Sequence, residues 1–452
     1  MFDINTVRAH FPITRQKFPV YGATEPVPVI YFDHGASTHP PQPVIDEYVQ
    51  FLRNSYSNVH RGQHYLSQIS TDMFEEVYAQ IRTFIHAEER DNCIILASNT
   101  THALDVAAHI MSHVDGATLV SVMEHHSNDL PHRRHGEVFR AEVLADGTLD
   151  YADVERNLRE HKIKLLAITG ASNVTGFLPD LKRLATMAHA HGARILVDAA
   201  QLLAHKAIDV LPNNDPAHID FVAAAGHKAY APFGSSFLFG PRDLMDNASP
   251  YIPGGGTVVY VTDEEAYFDK SPDRHQGGTP NIAGAIALGS ALRFLNNVGM
   301  DAIRKHEIEL TELAMNALSK MDGVHVLGHP DPTQRLGVVA MTIDGVTHDE
   351  AAIILNYEAA IATRNGCFCA HPYLHRLLGL TDTTELRNKL VAGEDIDIPG
   401  AVRATFGIFN NEAEVHRLIA MIDTIRNRRW KADYTNFDNE AVCRRLVPPH
   451  AF

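Results

Sequence analysis

Two ionisable side chains follow strongly apolar segments of the sequence. Asp198 comes directly after Ile195-Leu196-Val197, and Lys228 comes shortly after the segment 219–225. A carboxylate or an ammonium group that leaves water needs an opposite charge, a hydrogen-bond partner or a covalent bond. Residues of this kind, at these positions, are typical of sites that bind a charged small molecule.

Two further features carry complementary chemistry. Thr100 and Thr101 begin a segment with helical periodicity, and the start of a helix binds anions. His125 follows another apolar segment and offers a flat imidazole. A phosphate site, a carboxylate, a lysine and an imidazole together suit pyridoxal phosphate, with Lys228 forming the Schiff base and Asp198 binding the pyridine nitrogen. Taken singly, each feature also has a structural interpretation, such as a plain helix N-cap at Thr100-Thr101.

The elements that must position these groups alternate along the chain. Short apolar runs that read as buried strands are separated by helical segments, which predicts an α/β domain with a mostly parallel sheet. In such sheets ligands bind at the carboxyl ends of the strands. The predicted strands are 93–97, 118–122, 164–169, 193–198, 219–225 and 235–239.

The pattern changes after about residue 286, where two long helices precede alternating segments. We expect an N-terminal segment, 1–30, that packs on the small domain, a large cofactor-binding α/β domain over 31–285, and a smaller α+β domain over 286–452. Residues 381–400 are polar with Gly and Pro, which indicates an insertion loop.

Composition excludes several classes of protein. The chain has 452 residues, and 39 basic against 55 acidic residues give a net charge of −16, which disfavours binding to nucleic acid or to an anionic membrane. No apolar run approaches the roughly 20 residues of a membrane span. Four cysteines are too few for a disulfide framework. With no secretory signal pattern near Met1, we expect a cytoplasmic protein.

Several strings, in order, resemble a known family from about Tyr31 to Arg426. The chain is similar to the class V aminotransferase-fold enzymes that use pyridoxal phosphate, and among them to group II cysteine desulfurases and selenocysteine lyases. The resemblance implies fold type I, with a seven-stranded-type sheet. The matching strings are 58–62 (NVHRG), 123–128 (MEHHSN), 172–176 (SNVTG), 196–201 (LVDAAQ), 226–232 (GHKAYAP), 278–281 (GTPN), 364–370 (RNGCFCA) and 402–404 (VRA).

The resemblance also implies a role for each matching position. Lys228, His125 and Cys369 are the implied catalytic residues, with Cys369 as the nucleophile that receives sulfur. Substrate binding is implied for Arg403, Arg364, Asn173 and His60. The positions implied for the cofactor, together with Thr100 from the helix start, are Lys228, Asp198, Gln201, Thr100, Thr101, His227, Thr279, His125 and Asn173.

Three features depart from the family pattern. Ala225 stands where a serine that touches the phosphate is usual, and Cys367-Phe368 replaces a pair that is often His-His. The third is the insertion 381–400, which either covers the site, meets a sulfur acceptor or is a solvated loop. Cys367 could relay sulfur, form a redox pair with Cys369, bind a metal or be a bystander.

We therefore predict a cysteine desulfurase that converts L-cysteine to L-alanine and holds a persulfide on Cys369. The alternatives are a C–S or C–Se lyase, an epimerase or an aminotransferase of the same family that acts on another amino acid. A remote alternative is a non-catalytic thiol or metal-binding protein built on Cys367, Cys369, His371 and His375. Because the residue matching Thr279 reaches across to a second subunit, the resemblance implies a homodimer. A sulfur-acceptor protein is a possible further partner, and no resident metal is expected.

Overall fold

The structure is a computed structural model, and it describes residues 2–87, 91–380, 382–394 and 398–434. These residues form two compact units. The large unit consists of Ser37–Ser172 and Leu178–Ala302, and the small unit consists of the described residues within Met1–Ala36, Asn173–Phe177 and Ile303–Phe452. The predicted domain limits stay a prediction, because compactness alone does not define an independently folding domain.

Seven strands form the central sheet of the large unit. They are β1 (Asn92–Ala97), β2 (Ala117–Ser121), β3 (Val138–Ala141), β4 (Ile163–Thr169), β5 (Arg194–Asp198), β6 (Phe221–Ala225) and β7 (Ser236–Pro241). Their order in the sheet is β1-β7-β6-β5-β4-β2-β3. All neighbours are parallel except β7, which runs antiparallel to both β1 and β6. The predicted mostly parallel α/β fold is confirmed.

The interior strands are mostly apolar because helices cover both faces of a parallel sheet. Every residue of β4 and of β6 is buried. The edge strand β3 is only half-buried over Val138–Arg140, and it is the one strand of this sheet that the sequence pattern did not reveal. The described helices of the large unit are Gln42–Asn54, Tyr65–Phe84, Thr100–Ser112, Leu130–His135, Tyr151–Glu160, Leu181–Ala190, Arg242–Asn247 and Ile282–Val298. The unit also contains 3₁₀ turns at His126–Asn128, Gly226–Lys228 and Asp273–His275. Helix Met300–Leu318 begins in this unit and continues into the small unit.

Several of these helices begin at a residue whose side chain caps the first turn, which fixes where the chain leaves a strand. Asn99 accepts from His102 N–H, Asp150 from Asp153 N–H, and Asp180 from Arg183 N–H. Side-chain oxygens at this position satisfy amide groups that have no partner within the helix. Asn99 follows the end of β1 by two residues, so the carboxyl end of this strand lies close to the start of helix Thr100–Ser112.

The small unit contains a four-stranded antiparallel sheet in the order β8-β9-β11-β10. The strands are β8 (Val324–Val326), β9 (Val338–Ile343), β10 (Arg364–Gly366) and β11 (Ala401–Thr405). The remaining helices are Ile4–Ala9, Met300–Leu318, His348–Ala359, His371–Leu377, Thr384–Ala392 and Glu412–Arg426, with 3₁₀ turns at Pro12–Arg15 and Pro332–Gln334. Short strand pairs complete the structure: Lys17–Phe18 with Val27–Pro28, Ile30–Tyr31 with Ile361–Ala362, and Val258–Val261 with Ala266–Phe268.

The segment 381–400 differs from the predicted loop. Helix Thr384–Ala392 lies within it, and none of its residues is buried. Residues 381 and 395–397 lie outside the described part. The insertion is therefore at least partly helical and exposed to solvent. Among the described residues, no helix has the length and apolar character that crossing a membrane requires.

Candidate active site

Lys228 ends a single 3₁₀ turn that follows β6 directly. Gly226 opens this turn, and a Cβ atom there would collide with the Ser235 hydroxyl. The carbonyl oxygen of His227 accepts hydrogen bonds from the Thr38 amide at 2.8 Å and from the Thr38 hydroxyl at 3.0 Å. The two hydrogen bonds from Thr38 fix the backbone of the turn from which the half-buried Lys228 side chain extends.

Asp198 is the last residue of β5, the parallel neighbour of β6. Its side chain is 5% exposed, and its Oδ1 accepts from the Ala200 amide at 3.0 Å. Burial raises the pKa of Asp198, while the Ala200 hydrogen bond and the charge of Lys228 lower it. Gln201, three residues further on, is equally buried. The structure therefore brings the predicted carboxylate and the predicted lysine to one edge of one sheet.

The start of helix Thr100–Ser112 has the features of an anion site. The Asn99 side chain accepts a hydrogen bond from the His102 amide at 2.9 Å. The hydroxyl of Thr100 is buried and makes no hydrogen bond with any residue that the structure describes. The Thr101 hydroxyl lies 2.7 Å from the Ser127 hydroxyl. Thr101 and Ser127 line an open cavity of about 700 Å³. A buried hydroxyl without a partner is costly, and a phosphate at the helix start would satisfy it.

His227 provides a second orphaned group in the same unit. Its Nδ1 is buried without a hydrogen-bond partner among the described residues. Burial, with the positive charge of Lys228, lowers the pKa of His227 to about 4. The imidazole is therefore neutral at physiological pH and carries one N–H donor. The orphaned Thr100 hydroxyl and His227 Nδ1 suit a phosphate, and the neighbouring Asp198 carboxylate and Lys228 amine suit the ring nitrogen and the aldehyde of pyridoxal phosphate.

His125 ends the loop that follows β2, and its ring is fixed by a local hydrogen bond. Nδ1 accepts from the Ser127 amide at 3.1 Å. Since Nδ1 is an acceptor there, the neutral ring carries its proton on Nε2. The half-buried ring therefore has a defined tautomer and can donate a proton from Nε2.

Glu124, beside His125, was not predicted as part of the site. It is almost fully buried, and its Oε2 accepts from Asn128 Nδ2 at 2.7 Å. Burial raises the pKa of Glu124 to about 8. A neutral carboxyl at the base of the His125 loop ties the end of β2 to the turn His126–Asn128. Only its position after an apolar strand could have indicated this role.

Two arginines and one aspartate form a charged cluster in the small unit. Arg364 NH2 lies 3.0 Å from Asp33 Oδ2, and Arg403 NH2 lies 3.6 Å from Asp33 Oδ1. Arg403 is 3% exposed, and its Nε is buried without a hydrogen-bond partner. Burial lowers the pKa of Arg403 to about 10, which leaves it protonated at neutral pH. Two positive charges against one negative charge leave an excess that suits a carboxylate ligand.

Gly35 and Asn173 shape this cluster. A Cβ atom on Gly35 would lie 2.9 Å from Arg403 NH2, so glycine leaves room for the guanidinium. Arg403 NH1 donates to the Asn173 carbonyl at 2.7 Å, and Asn173 Nδ2 donates to the Phe368 carbonyl at 2.6 Å. The Arg403 guanidinium also stands over the Phe368 ring, 4.8 Å from its centroid. Arg403, Asn173 and the turn before Cys369 are thereby connected.

Cys369 is exposed and lies in an unusual backbone conformation. Both Phe368 and Cys369 are left-handed, with φ of 54° and 55°. Residues other than glycine rarely adopt this conformation, and where they do it is often at functional sites. Burial lowers the pKa of Arg403, and the negative charge of a Cys369 thiolate raises it slightly. Cys369 is therefore an accessible thiol near a buried guanidinium.

The other predicted positions have the following surroundings. His60 is exposed, has φ of 72°, and its Nε2 lies 2.7 Å from Glu75 Oε1. Thr279 is exposed and lines a cavity of about 240 Å³ in the large unit. Ala225, at the end of β6, is buried. The roles of all the predicted site residues stay predictions.

The remote alternative, a metal site on Cys367, Cys369 and the nearby histidines, finds no support. In the described part of the chain, three potential ligand atoms lie within 4.8 Å of one another only at His189, His218 and Asp220. That group lies at the amino ends of β5 and β6, the edge opposite Lys228. The Asp220 carboxylate already accepts from Arg194 at 2.8 Å and from the Ile195 amide at 2.9 Å. We therefore interpret the group as an ion-pair cluster that stabilises the fold.

The parallel sheet with its strand-end aspartate and lysine defines the class of protein, which is fold type I of the pyridoxal phosphate enzymes. A sequence model of the family Aminotransferase class-V matches residues 30–418. The chain belongs to this family, as its motifs predicted.

Relatives and solved structures agree with that assignment. A probable cysteine desulfurase of Halobacterium salinarum is 33% identical over 94% of this chain and 97% of its own length. A cysteine desulfurase of Dickeya dadantii is 34% identical over 94% of this chain and 97% of its own length. The structure of a cysteine desulfurase from Thermococcus onnurineus matches with a TM-score of 0.82 and 29% identity, over 94% of this chain and 98% of that one. The structure of a cysteine desulfurase from Escherichia coli matches with a TM-score of 0.79 and 28% identity, over 95% of this chain and 100% of that one.

Proposed function

We propose that the protein is a cysteine desulfurase that depends on pyridoxal phosphate and converts L-cysteine to L-alanine, with a persulfide on Cys369. The observation that carries the proposal is the exposed Cys369 thiol, held in a left-handed turn that Asn173 connects to the buried Arg403. The named relatives, which cover more than nine-tenths of the chain, support it.

The large unit supplies the residues that hold the cofactor. Lys228 would hold it covalently, Asp198 would accept from its ring nitrogen, and Thr100 and His227 would bind its phosphate through their orphaned polar atoms. When bound, the cofactor stabilises negative charge that develops on the substrate carbon atoms. His125, with its proton on Nε2, is the neighbouring acid and base.

The small unit supplies the residues that act on the substrate itself. Arg403 and Arg364 bind its carboxylate, which orients the amino acid. The Cys369 thiolate then attacks the substrate sulfur. An S–S bond forms, the Cβ–S bond breaks, and its electron pair takes up a proton at Cβ. One L-cysteine and one enzyme thiol give one L-alanine and one enzyme persulfide, with no oxidant or reductant required.

The test is product analysis with the purified holoenzyme and a panel of amino acids. We expect alanine from L-cysteine, and labelled sulfur on Cys369 after alkylation and peptide mass spectrometry. Cys369→Ser should bind L-cysteine but release little alanine, because a serine hydroxyl stays protonated and attacks sulfur poorly. Cys93→Ser, at a buried thiol in β1, is the matched control and should turn over normally. Turnover without any protein-bound sulfur would instead indicate a lyase or an aminotransferase.

The proposal includes a homodimer. Its support is the exposed Thr279, together with large apolar side chains that stay exposed on the large unit. They include Phe233, Ile252, Val259, Tyr260, Val261 and Tyr267. A second copy of the chain would cover them and bring a second Thr279 with it. Light scattering at micromolar concentration should give the mass of a dimer, and Tyr260→Asp should shift the protein towards the monomer.

Cellular location and the sulfur acceptor complete the proposal. The three cysteines in the described residues are free thiols, which suits the reducing cytoplasm. We place a thiol-bearing acceptor protein as the second partner. Helix Thr384–Ala392, which exposes Leu390 and Val391, is a surface such a partner could contact.

A further inference from the structure

Cys367 is a half-buried thiol that the proposed reaction does not use. Its Sγ lies 2.8 Å from Nε2 of His371, the first residue of helix His371–Leu377. A contact this short between sulfur and an imidazole nitrogen is a hydrogen bond. The pair resembles a nucleophile beside its base, an arrangement in which the imidazole takes the thiol proton.

Cys367 also interacts with Cys369 directly. Burial raises the pKa of Cys367, hydrogen bonds from the backbone of Cys367 and Cys369 lower it, and the charge of Cys369 raises it again. The two thiols therefore lie within electrostatic range of each other. A half-buried thiol that stays protonated until a base takes its proton is less reactive towards oxidants and electrophiles than a thiolate.

We propose that Cys367 is a second sulfur-carrying site, which takes the sulfane sulfur from the persulfide on Cys369. The inference rests on the proposed desulfurase function and extends it. Cys367 gives its proton to His371 Nε2 and attacks the outer sulfur of the Cys369 persulfide. A new S–S bond forms at Cys367, and the bond between Cys369 Sγ and the outer sulfur breaks. The Cys369 thiolate leaves and is reprotonated, so one thiol and one persulfide exchange places.

This step has a measurable consequence for sulfur capacity. Cys369 is a free thiol again after the transfer and can act on another L-cysteine. A chain without any acceptor can then hold about two sulfane sulfurs, where a single cysteine would hold one. The first sulfur is stored at the less exposed of the two positions.

The first experiment measures the alanine burst of the holoenzyme with L-cysteine and no acceptor thiol. We expect about two alanines per chain for the wild type and about one for Cys367→Ser. Cys93→Ser, at a thiol that is 1% exposed, should keep the wild-type burst. An equal burst in the wild type and Cys367→Ser would overturn the proposal.

The second experiment locates the sulfur. The wild type is treated with ³⁴S-labelled L-cysteine, alkylated, and fragmented so that ions separate at Phe368. Label on both Cys367 and Cys369 supports the transfer, and Cys369→Ser should then carry none at Cys367. Label on Cys369 alone overturns the transfer but leaves the desulfurase function intact. A Cys367–Cys369 disulfide with released sulfide also overturns it. No alanine and no label would instead reject the desulfurase function itself.

A third variant tests the base. His371→Gln should slow the second phase of the burst and move its pH dependence to higher pH, because Cys367 must then lose its proton to solvent. His325→Gln is the control, at an exposed histidine paired with Asp344. A second phase with the wild-type rate and pH profile in His371→Gln would remove His371 from the mechanism.

Discussion

Arg364 and Arg403 occupy directly paired positions on the neighbouring antiparallel strands β10 and β11. Two guanidinium groups at paired positions repel each other, which is destabilising unless an anion lies between their charges. Asp33 supplies one negative charge to both. Among the described residues the pair therefore keeps one positive charge without a counter-charge, which is the physical reason for proposing that it binds a substrate carboxylate.

Arg403→Lys tests that recognition. Lysine keeps the charge but loses the planar fork that binds a carboxylate through two parallel hydrogen bonds. We expect kcat/KM for L-cysteine to fall roughly tenfold or more, mainly through KM, because a hydrogen bond to a charged group contributes about 1.5–3 kcal/mol. Steady-state kinetics measures this. Arg429→Lys, at an exposed arginine, is the control. An unchanged KM would show that Arg403 is only structural.

Lys228→Ala tests the covalent attachment of the cofactor. The variant should not retain a visible chromophore that borohydride fixes to the protein, because Lys228 is the lysine that the structure places at the strand end beside Asp198. Absorbance and mass spectrometry after reduction measure the attachment. Lys182→Ala, at an exposed lysine, should behave as the wild type. A fixed cofactor mass on another lysine in Lys228→Ala would contradict the assignment.

Asp198→Asn tests the partner of the ring nitrogen. The amide keeps the shape and the hydrogen bond from the Ala200 amide but loses the charge. The cofactor should stay bound, while kcat should fall by roughly 100-fold, the usual loss when one preorganised electrostatic group is removed. Absorbance titration separates binding from turnover. Asp243→Asn, on an exposed helix position, is the control. Normal kcat in Asp198→Asn would mean that its charge has no part in catalysis.

The large unit could be predicted from the sequence because its strands are continuous apolar runs. The predicted run 164–169 lies in β4, where every residue is buried, as expected for an interior strand. The same logic failed for β3, an edge strand with one solvent-facing side. Strand β10 was also missed, because it has only three residues, and Arg364 and Asn365 among them are polar.

The missed site residues follow the same rule. Asp33 joins the arginine cluster across more than 300 positions of sequence, and no local pattern indicates such a contact. Glu124 follows an apolar strand, as Asp198 does, but its importance comes from its burial, which only the folded chain shows. Residues on strand ends were predictable by position, whereas their partners from distant segments were not.

Thr100→Val and Thr101→Val form a matched pair at the helix start. The Thr100 hydroxyl is buried without a partner, so its removal should leave the stability of the apoprotein equal or higher. Cofactor affinity should fall about fivefold to tenfold, since one hydrogen bond of about 1 kcal/mol is lost. Thr101→Val should cost apoprotein stability instead, because the Thr101 hydroxyl bonds Ser127. Unfolding midpoints and equilibrium binding measure both. Unchanged affinity in Thr100→Val would remove it from the phosphate site.

Glu124→Gln tests a dependence of stability on pH. Burial raises the pKa of Glu124 to about 8, against about 4.3 in the unfolded chain. Between these values the folded state holds one more proton than the unfolded state, so the free energy of unfolding falls as pH rises. Glutamine does not ionise, so the variant should not lose stability in this way. Asn128 can turn its amide so that its Oδ1, which has no partner among the described residues, accepts from the new glutamine amide. We expect Glu124→Gln to match the wild type near pH 4 and to unfold at a higher temperature near pH 8. Glu137→Gln, at an exposed position, is the control. Calorimetry across this pH range measures the difference, and parallel pH profiles for the wild type and Glu124→Gln would show that the Glu124 carboxyl is already ionised in the folded protein.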